Sequence, residues 1–131
     1  MKIRTGTLSI ACGVGLLVWV VTLWFLSSRP SGGGPDLWWP HFDKVLHFGY
    51  FFIGGGLVGG CFTRVSSGWR AIFIATLVLA AVGALDEWHQ LHTAGRNGAD
   101  VWDWLADLCG AFAGILAGLG LRKRMRMKAT E

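Results

Sequence analysis

Residues 70–128 read RAIFIATLVLAAVGALDEWHQLHTAGRNGADVWDWLADLCGAFAGILAGLGLRKRMRMK. The stretch opens on Arg70, runs uncharged from Ala71 to Leu85 and gathers acids and histidines between Asp86 and Asp107. It then runs uncharged from Leu108 to Leu121 and closes on the basic run Arg122–Lys128. Two apolar rods with basic feet and an acidic crown are the pattern of a helical hairpin crossing a bilayer, because Lys and Arg flank spans on the cytoplasmic side.

The rest of the chain repeats the pattern. Uncharged stretches run from Thr5 to Ser28 and from Val45 to Thr63. Seven of the eight acids (Asp36, Asp43, Asp86, Glu87, Asp100, Asp103, Asp107) and all four histidines (His41, His47, His89, His92) fall near residues 27–47 and 86–107. Nine of the twelve basic residues stand elsewhere: Lys2, Arg4, Arg64, Arg70, Arg122, Lys123, Arg124, Arg126 and Lys128. With positive mean hydropathy and 15% charged residues over 131 positions, the sequence predicts an all-α integral membrane protein of one domain, 1–131. The expected architecture is a compact bundle of four transmembrane helices, near 7–26, 43–62, 70–90 and 101–121, with a basic cytoplasmic tail at 122–131. Both termini should be cytoplasmic, and the first span reads as an uncleaved anchor.

A net charge of +4 invites a nucleic-acid reading, but its distribution at span ends argues against one and allows contact with anionic lipid head groups. Cys12, Cys61 and Cys109 are widely spaced, with no C-x-x-C pair, and read as packing residues. Gly55/Gly59, Gly56/Gly60 and Gly110/Gly114/Gly118 recur at four-residue spacing, the ridge that lets helices approach closely in lipid. Trp38 and Trp39, and also Trp88, Trp102 and Trp104, read as outer interfacial aromatics.

Asp86 lies fifteen residues after Ala71, and Asp107 fifteen before Arg122. At about 1.5 Å per residue in a core about 30 Å thick, both should sit several ångströms beneath the outer surface at similar depth. Helical spacing puts Asp43 with His47, Asp86 with His89 and Gln90, and Asp103 with Asp107 on common faces. Intramembrane ionisable groups mark sites or pathways more often than not. With Lys44 and Arg96 the only firm local cations, protons, a divalent metal or a cationic ligand must balance the acids. Asp86, Glu87, His47 and Asp103 are the acid–base candidates. Asp43, Lys44, Gln90, Arg96 and Asp107 are the ligand-binding candidates, and Asp86, Glu87, Asp103 and Asp107 the candidate metal set. Arg96 is expected either to clamp an anion or to pair with Asp100 or Asp103. Lys44 is expected either to hold a phosphate or to snorkel.

Three elements in order, Asp43-Lys44-x-x-His47-Phe48, Asp86-Glu87-x-x-Gln90 with Gly95-Arg96, and Asp103-x-x-x-Asp107-x-x-Gly110-x-x-x-Gly114, resemble the VanZ-like family of small bacterial membrane proteins over residues 36–121. Pro is common in that family where Ala94 stands, and Asn where Asp107 stands. The resemblance implies a multi-pass protein of the bacterial cytoplasmic (inner) membrane and a cell-envelope context, the namesake being linked to low-level teicoplanin resistance. It implies no reaction.

Three functions stay open at this point. The first is binding or modification of a lipid-linked envelope component at the outer face, with a divalent cation as one way to bridge carboxylates and a phosphate. The second is proton- or cation-coupled transport. The third is a non-catalytic scaffold for envelope proteins. No P-loop and no activated Ser or Cys nucleophile is present to assign catalysis.

Overall fold

The computed structural model describes residues 5–30, 41–61, 68–96 and 98–128, with side chains from residue 10 onward. Lys2, Arg4, Asp36, Trp38, Trp39, Arg64 and the glycine-rich stretch 31–35, which carry part of the topology argument, lie outside the described residues. Four helices and no strand are present among the described residues: α1 (Thr5–Ser27), α2 (Phe42–Cys61), α3 (Trp69–Gln90) and α4 (Val101–Lys128). Their bounds fall close to the expected spans, except that α4 continues through the basic run, so residues 122–128 are helical.

The segments Ile10–Ser27, Trp69–Gln90 and Val101–Lys128 are long and apolar enough to cross a membrane. Helix α2 falls short on hydropathy, because six glycines and the polar residues Asp43, Lys44 and His47 dilute its apolar content. Large apolar side chains point outward on all four helices, among them Leu17, Phe25, Val45, Ile53, Phe73, Leu85 and Val101. An apolar surface this extensive is suited to lipid.

Polar contacts fix the directions of the helices. Ser27 at the end of α1 meets Asp86 near the end of α3, and Lys44 at the start of α2 meets Asp103 at the start of α4. The helices therefore run up-down-up-down, with the beginning of α1 and the end of α4 at the end opposite the acids. Around the bundle the order is α1–α2–α4–α3, and the α2–α4 pairing is by far the most extensive.

That pairing is built from glycine. A Cβ at Gly55 or Gly59 would collide with the carbonyls of Ala111 and Ile115, and one at Gly110, Gly114 or Gly118 with those of Phe48, Phe52 and Gly56. Each helix thus presses its bare backbone against the carbonyls of the other, an approach that Cα–H···O contacts favour. Of the two glycine ridges in α2, Gly55/Gly59 meets α4 at closest range, whereas a Cβ at Gly56 or Gly60 would make ordinary contact. Trp19, Phe51, Ile72, Leu79, Ala111 and Ile115 complete the buried core.

Helix α1 is attached more sparsely. Trp19 Nε1 donates to the Tyr50 carbonyl (3.0 Å), and Tyr50 Oη donates to the Trp19 carbonyl (2.6 Å). The Trp19 ring lies over Gly54, where a Cβ would come within 2.6 Å of it. Cys12 is buried, Cys61 half-buried and Cys109 exposed, so the packing role expected of all three holds for the first two.

The seam yields a direct prediction. Gly114→Ala should lower the melting temperature in detergent by an amount equivalent to about 1–3 kcal/mol, the usual cost of overpacking. Gly120→Ala, where a Cβ meets nothing within 4 Å, should leave it unchanged or slightly raised. Equal melting temperatures for the two variants would contradict the seam.

Candidate functional site

The acids gather in a polar cluster at the start of α2, the end of α3, the α3–α4 loop and the start of α4, termed the cup for its exposed rim and buried base. Exposure is graded along it. The side chain of Asp43 is 51% exposed, Asp100 35%, Lys44 22%, Asp103 11% and Asp107 0%.

At the mouth, Lys44 Nζ stands among three carboxylates: Asp43 (2.8 Å), Asp100 (3.0 Å) and Asp103 (2.8 Å). Neither a free phosphate clamp nor a snorkelling lysine, Lys44 is a crosslink between α2 and the start of α4. Asp100 also caps α4, its Oδ1 accepting the Trp102 N–H at 2.8 Å. Its backbone N–H donates to Glu87 Oε2 at 3.0 Å, tying the loop to α3. The loop reaches this position through left-handed backbone at Gly95 (φ 73°) and Ala99 (φ 62°). It is also pressed so closely on α3 at Gly98 that a Cβ would strike the Glu87 carbonyl and the Leu91 amide nitrogen.

Deeper in the cup, His47 Nδ1 lies 3.0 Å from Asp107 Oδ1, while Nε2 lies 4.0 Å from Asp103 Oδ2, too far for a hydrogen bond. His47, Glu87 and Asp103, one from each of three helices, bring one ligand-type atom apiece within 4.8 Å of one another. Asp43, Asp100 and Asp103 form a second such group at the mouth, which Lys44 already fills. Glu87 Oε1 and Asp107 Oδ2 are buried with no hydrogen-bond partner. Leaving such an oxygen unmatched costs about 1–3 kcal/mol, more when it is charged. Asp107 rests on Gly83 of α3, where a Cβ would come within 2.7 Å of Oδ2.

Asp107 is level with Gly83, three residues (about 4.5 Å) further in than Asp86, a shift within the one turn that tilt and register allow on the expected depths. The candidate metal set also divides. Asp86 accepts hydrogen bonds from Ser27 Oγ and from Gln90 Nε2 (2.7 Å), and Asp107 holds the far nitrogen of His47. The group with ligand spacing contains His47 in place of both. Gln90, expected to bind a ligand, orients Asp86.

Arg96 departs from both of its expected roles. Its Nη2 donates to the Leu26 carbonyl (2.7 Å) and its Nε to that of Arg29 (3.1 Å), and it makes no ion pair with Asp100 or Asp103 among the described residues. The C-terminal end of α1 offers orphan carbonyls and a partial negative charge, which a guanidinium satisfies. Trp88 and Trp102 face outward, 60% and 69% exposed, as expected of interfacial rings. Trp104 turns inward, donating Nε1–H to the Ala80 carbonyl at 2.9 Å.

Sequence spacing missed the contribution of α1. Ser27 binds Asp86, Ser28 meets His89 Nε2 at 3.0 Å, and Trp24 stacks on His89 with centroids 3.9 Å apart. Two serines closing an apolar span were the available signal.

The Lys44 ammonium beside Asp100 holds its carboxyl below the ordinary range. That contribution to stability is present above the usual carboxylate pKa near 4 and is lost as pH falls through the lower folded value. Asp100→Asn should therefore lose less melting temperature than wild type between about pH 5 and pH 2. Lys44→Met, which strands three carboxylates, should cost about 2–3 kcal/mol at neutral pH. Thermal unfolding in detergent at stepped pH measures both effects. Comparisons of the chain with models of known protein families, with curated proteins and with solved structures find no match, so the functional reading rests on the chemistry of these residues.

Proposed function

We propose that the chain is a VanZ-like protein of the bacterial cytoplasmic membrane that binds the polar head of a lipid-linked envelope component in this cup, and so contributes to glycopeptide tolerance. All four helices cross the bilayer in this reading, with the cup at the outer face and both termini in the cytoplasm. Arg70 and the Arg122–Lys128 run stand at the far end of the bundle from the acids, which agrees with the positive-inside bias. The modest hydropathy of α2 is no obstacle, because its glycine face lies against α4 and its lysine and histidine turn into the cup.

One observation carries the reading: His47, Glu87 and Asp103 converge from three helices at the base of a cup that opens at Asp43 and Asp100. Polar groups buried at that depth and open at one end suit a ligand arriving from the outer leaflet. The closed glycine seam between α2 and α4 beneath the cup leaves no polar path onward along that interface, which favours binding over transport.

The test is expression in a glycopeptide-sensitive bacterium, together with titration of the purified protein in nanodiscs with a polyprenyl diphosphate lipid. Wild type should raise teicoplanin tolerance and bind the lipid saturably. Asp103→Asn, inserted at equal level, should lose both by tenfold or more. Tolerance and lipid affinity equal to wild type in that variant would end the proposal.

A further inference from the structure

The geometry points to a divalent transition-metal site formed by His47 of α2, Glu87 of α3 and Asp103 of α4. The inference deepens the head-group reading and rests on it only for the metal's use, since the site stands on its own donors.

Three independent features support it. The first is spacing. Two donors bound at about 2.0–2.2 Å to one ion in the tetrahedral geometry of zinc lie about 3.3–3.6 Å apart. The 4.0 Å between His47 Nε2 and Asp103 Oδ2 is too long for a direct hydrogen bond and closes to that spacing with a shift of about 0.5 Å. The second is the orphaned oxygen. Glu87 is 4% exposed, one of its carboxylate oxygens accepts the Asp100 N–H, and the other, Oε1, has no partner. One carboxylate oxygen of Glu87, a ring nitrogen of His47 and a carboxylate oxygen of Asp103 lie within 4.8 Å of one another, so the residue with the unmatched buried oxygen stands in a set of donors spaced for a cation.

The third is the arrangement behind the histidine. A metal-bound imidazole regularly gives its other nitrogen to a carboxylate, which fixes the ring and its tautomer. Asp107 holds His47 Nδ1 at 3.0 Å from behind, leaving Nε2 facing Asp103. Asp107 is itself seated against the bare backbone of Gly83 and fully buried, so the ring has one orientation.

One imidazole nitrogen and two carboxylates favour Zn²⁺ or another first-row divalent ion over Mg²⁺ or Ca²⁺, which prefer oxygen alone. A dication neutralises both carboxylate ligands, and three protein donors leave a coordination position open. A phosphate oxygen of the lipid head is the ligand that fits such a position. Lys44 and Arg96 do not compete for that role, because each is engaged by protein oxygens.

The experiment titrates the full-length, chelator-stripped protein in detergent with Zn²⁺ alone and follows binding by calorimetry and X-ray absorption. One equivalent should bind, with one imidazole and otherwise oxygen around the ion and no sulfur. Glu87→Gln and His47→Asn should weaken binding at least tenfold. Asp107→Asn should weaken it by about 10- to 100-fold through the loosened ring. Cys109→Ser, at an exposed position outside the cup, should bind as wild type. No stoichiometric metal, sulfur in the coordination shell, or full affinity in Glu87→Gln would overturn the site. Repeating the lipid titration with and without chelator separates the two proposals. Metal binding without lipid affinity removes the head-group reading alone, and lipid affinity in a protein that binds no metal removes the metal site alone.

Discussion

A carboxylate taken out of water must find a proton, a hydrogen-bond donor or a cation, and this bundle takes several out of water at one end. Each solution is visible in turn. Asp86 is met by the Ser27 hydroxyl and the Gln90 amide, Asp43 and Asp100 by the Lys44 ammonium, and Asp107 by the His47 ring. Among the described residues the protein's own donors run short at Glu87, which has a single backbone N–H for two oxygens, and at Asp107, whose Oδ2 has no partner. The organisation of the acidic end of the molecule follows from this matching of acids to donors, and the place where the matching is incomplete is where chemistry with an external partner is expected.

The apolar half supplies the frame. Glycines on α2 and α4 bring two backbones into contact, and that contact fixes how far apart Lys44 and His47 stand from Asp103 and Asp107. The cup is therefore carried on rigid elements and not on loops, which is the arrangement that holds donors at a defined spacing. The α3–α4 loop adds Asp100 at the mouth, and Arg96 ties the same loop to the end of α1. Recognition of a head group at this cup would draw on geometry set about three turns below it.

Much of this was legible in the residues. The helices, their bounds and the gathering of acids at one end follow from apolar run lengths and the segregation of charge. Asp43, His47, Asp103 and Asp107 were singled out by helical spacing, Lys44 as a cation among acids and Glu87 as the acid beside the Asp86 face. What spacing cannot supply is the partner across the interface. Residue counting put Asp86 and Asp107 at similar depth to within a turn, and close packing at Gly83 sets Asp107 about three residues further in. Arg96 looked like a ligand group because it is a cation near acids. Its target proved to be backbone carbonyls, which carry no signature in the sequence of α1. Ser27, whose hydroxyl meets Asp86, was passed over although two serines closing an apolar span were a signal.

The glycine seam has a consequence for how the molecule tolerates change. Where side chains interdigitate, a poor fit is absorbed by a rotamer shift, but where two backbones touch there is nothing to yield except the helices themselves. An added methyl at Gly55 or Gly114 must displace α2 and α4 as whole rods, and the displacement is delivered undiminished to the imidazole and carboxylates at the far tip. A genetic screen for lost activity would therefore score hits deep in the apolar half, among residues with no polar side-chain atom to offer. Those hits would report leverage, not chemistry.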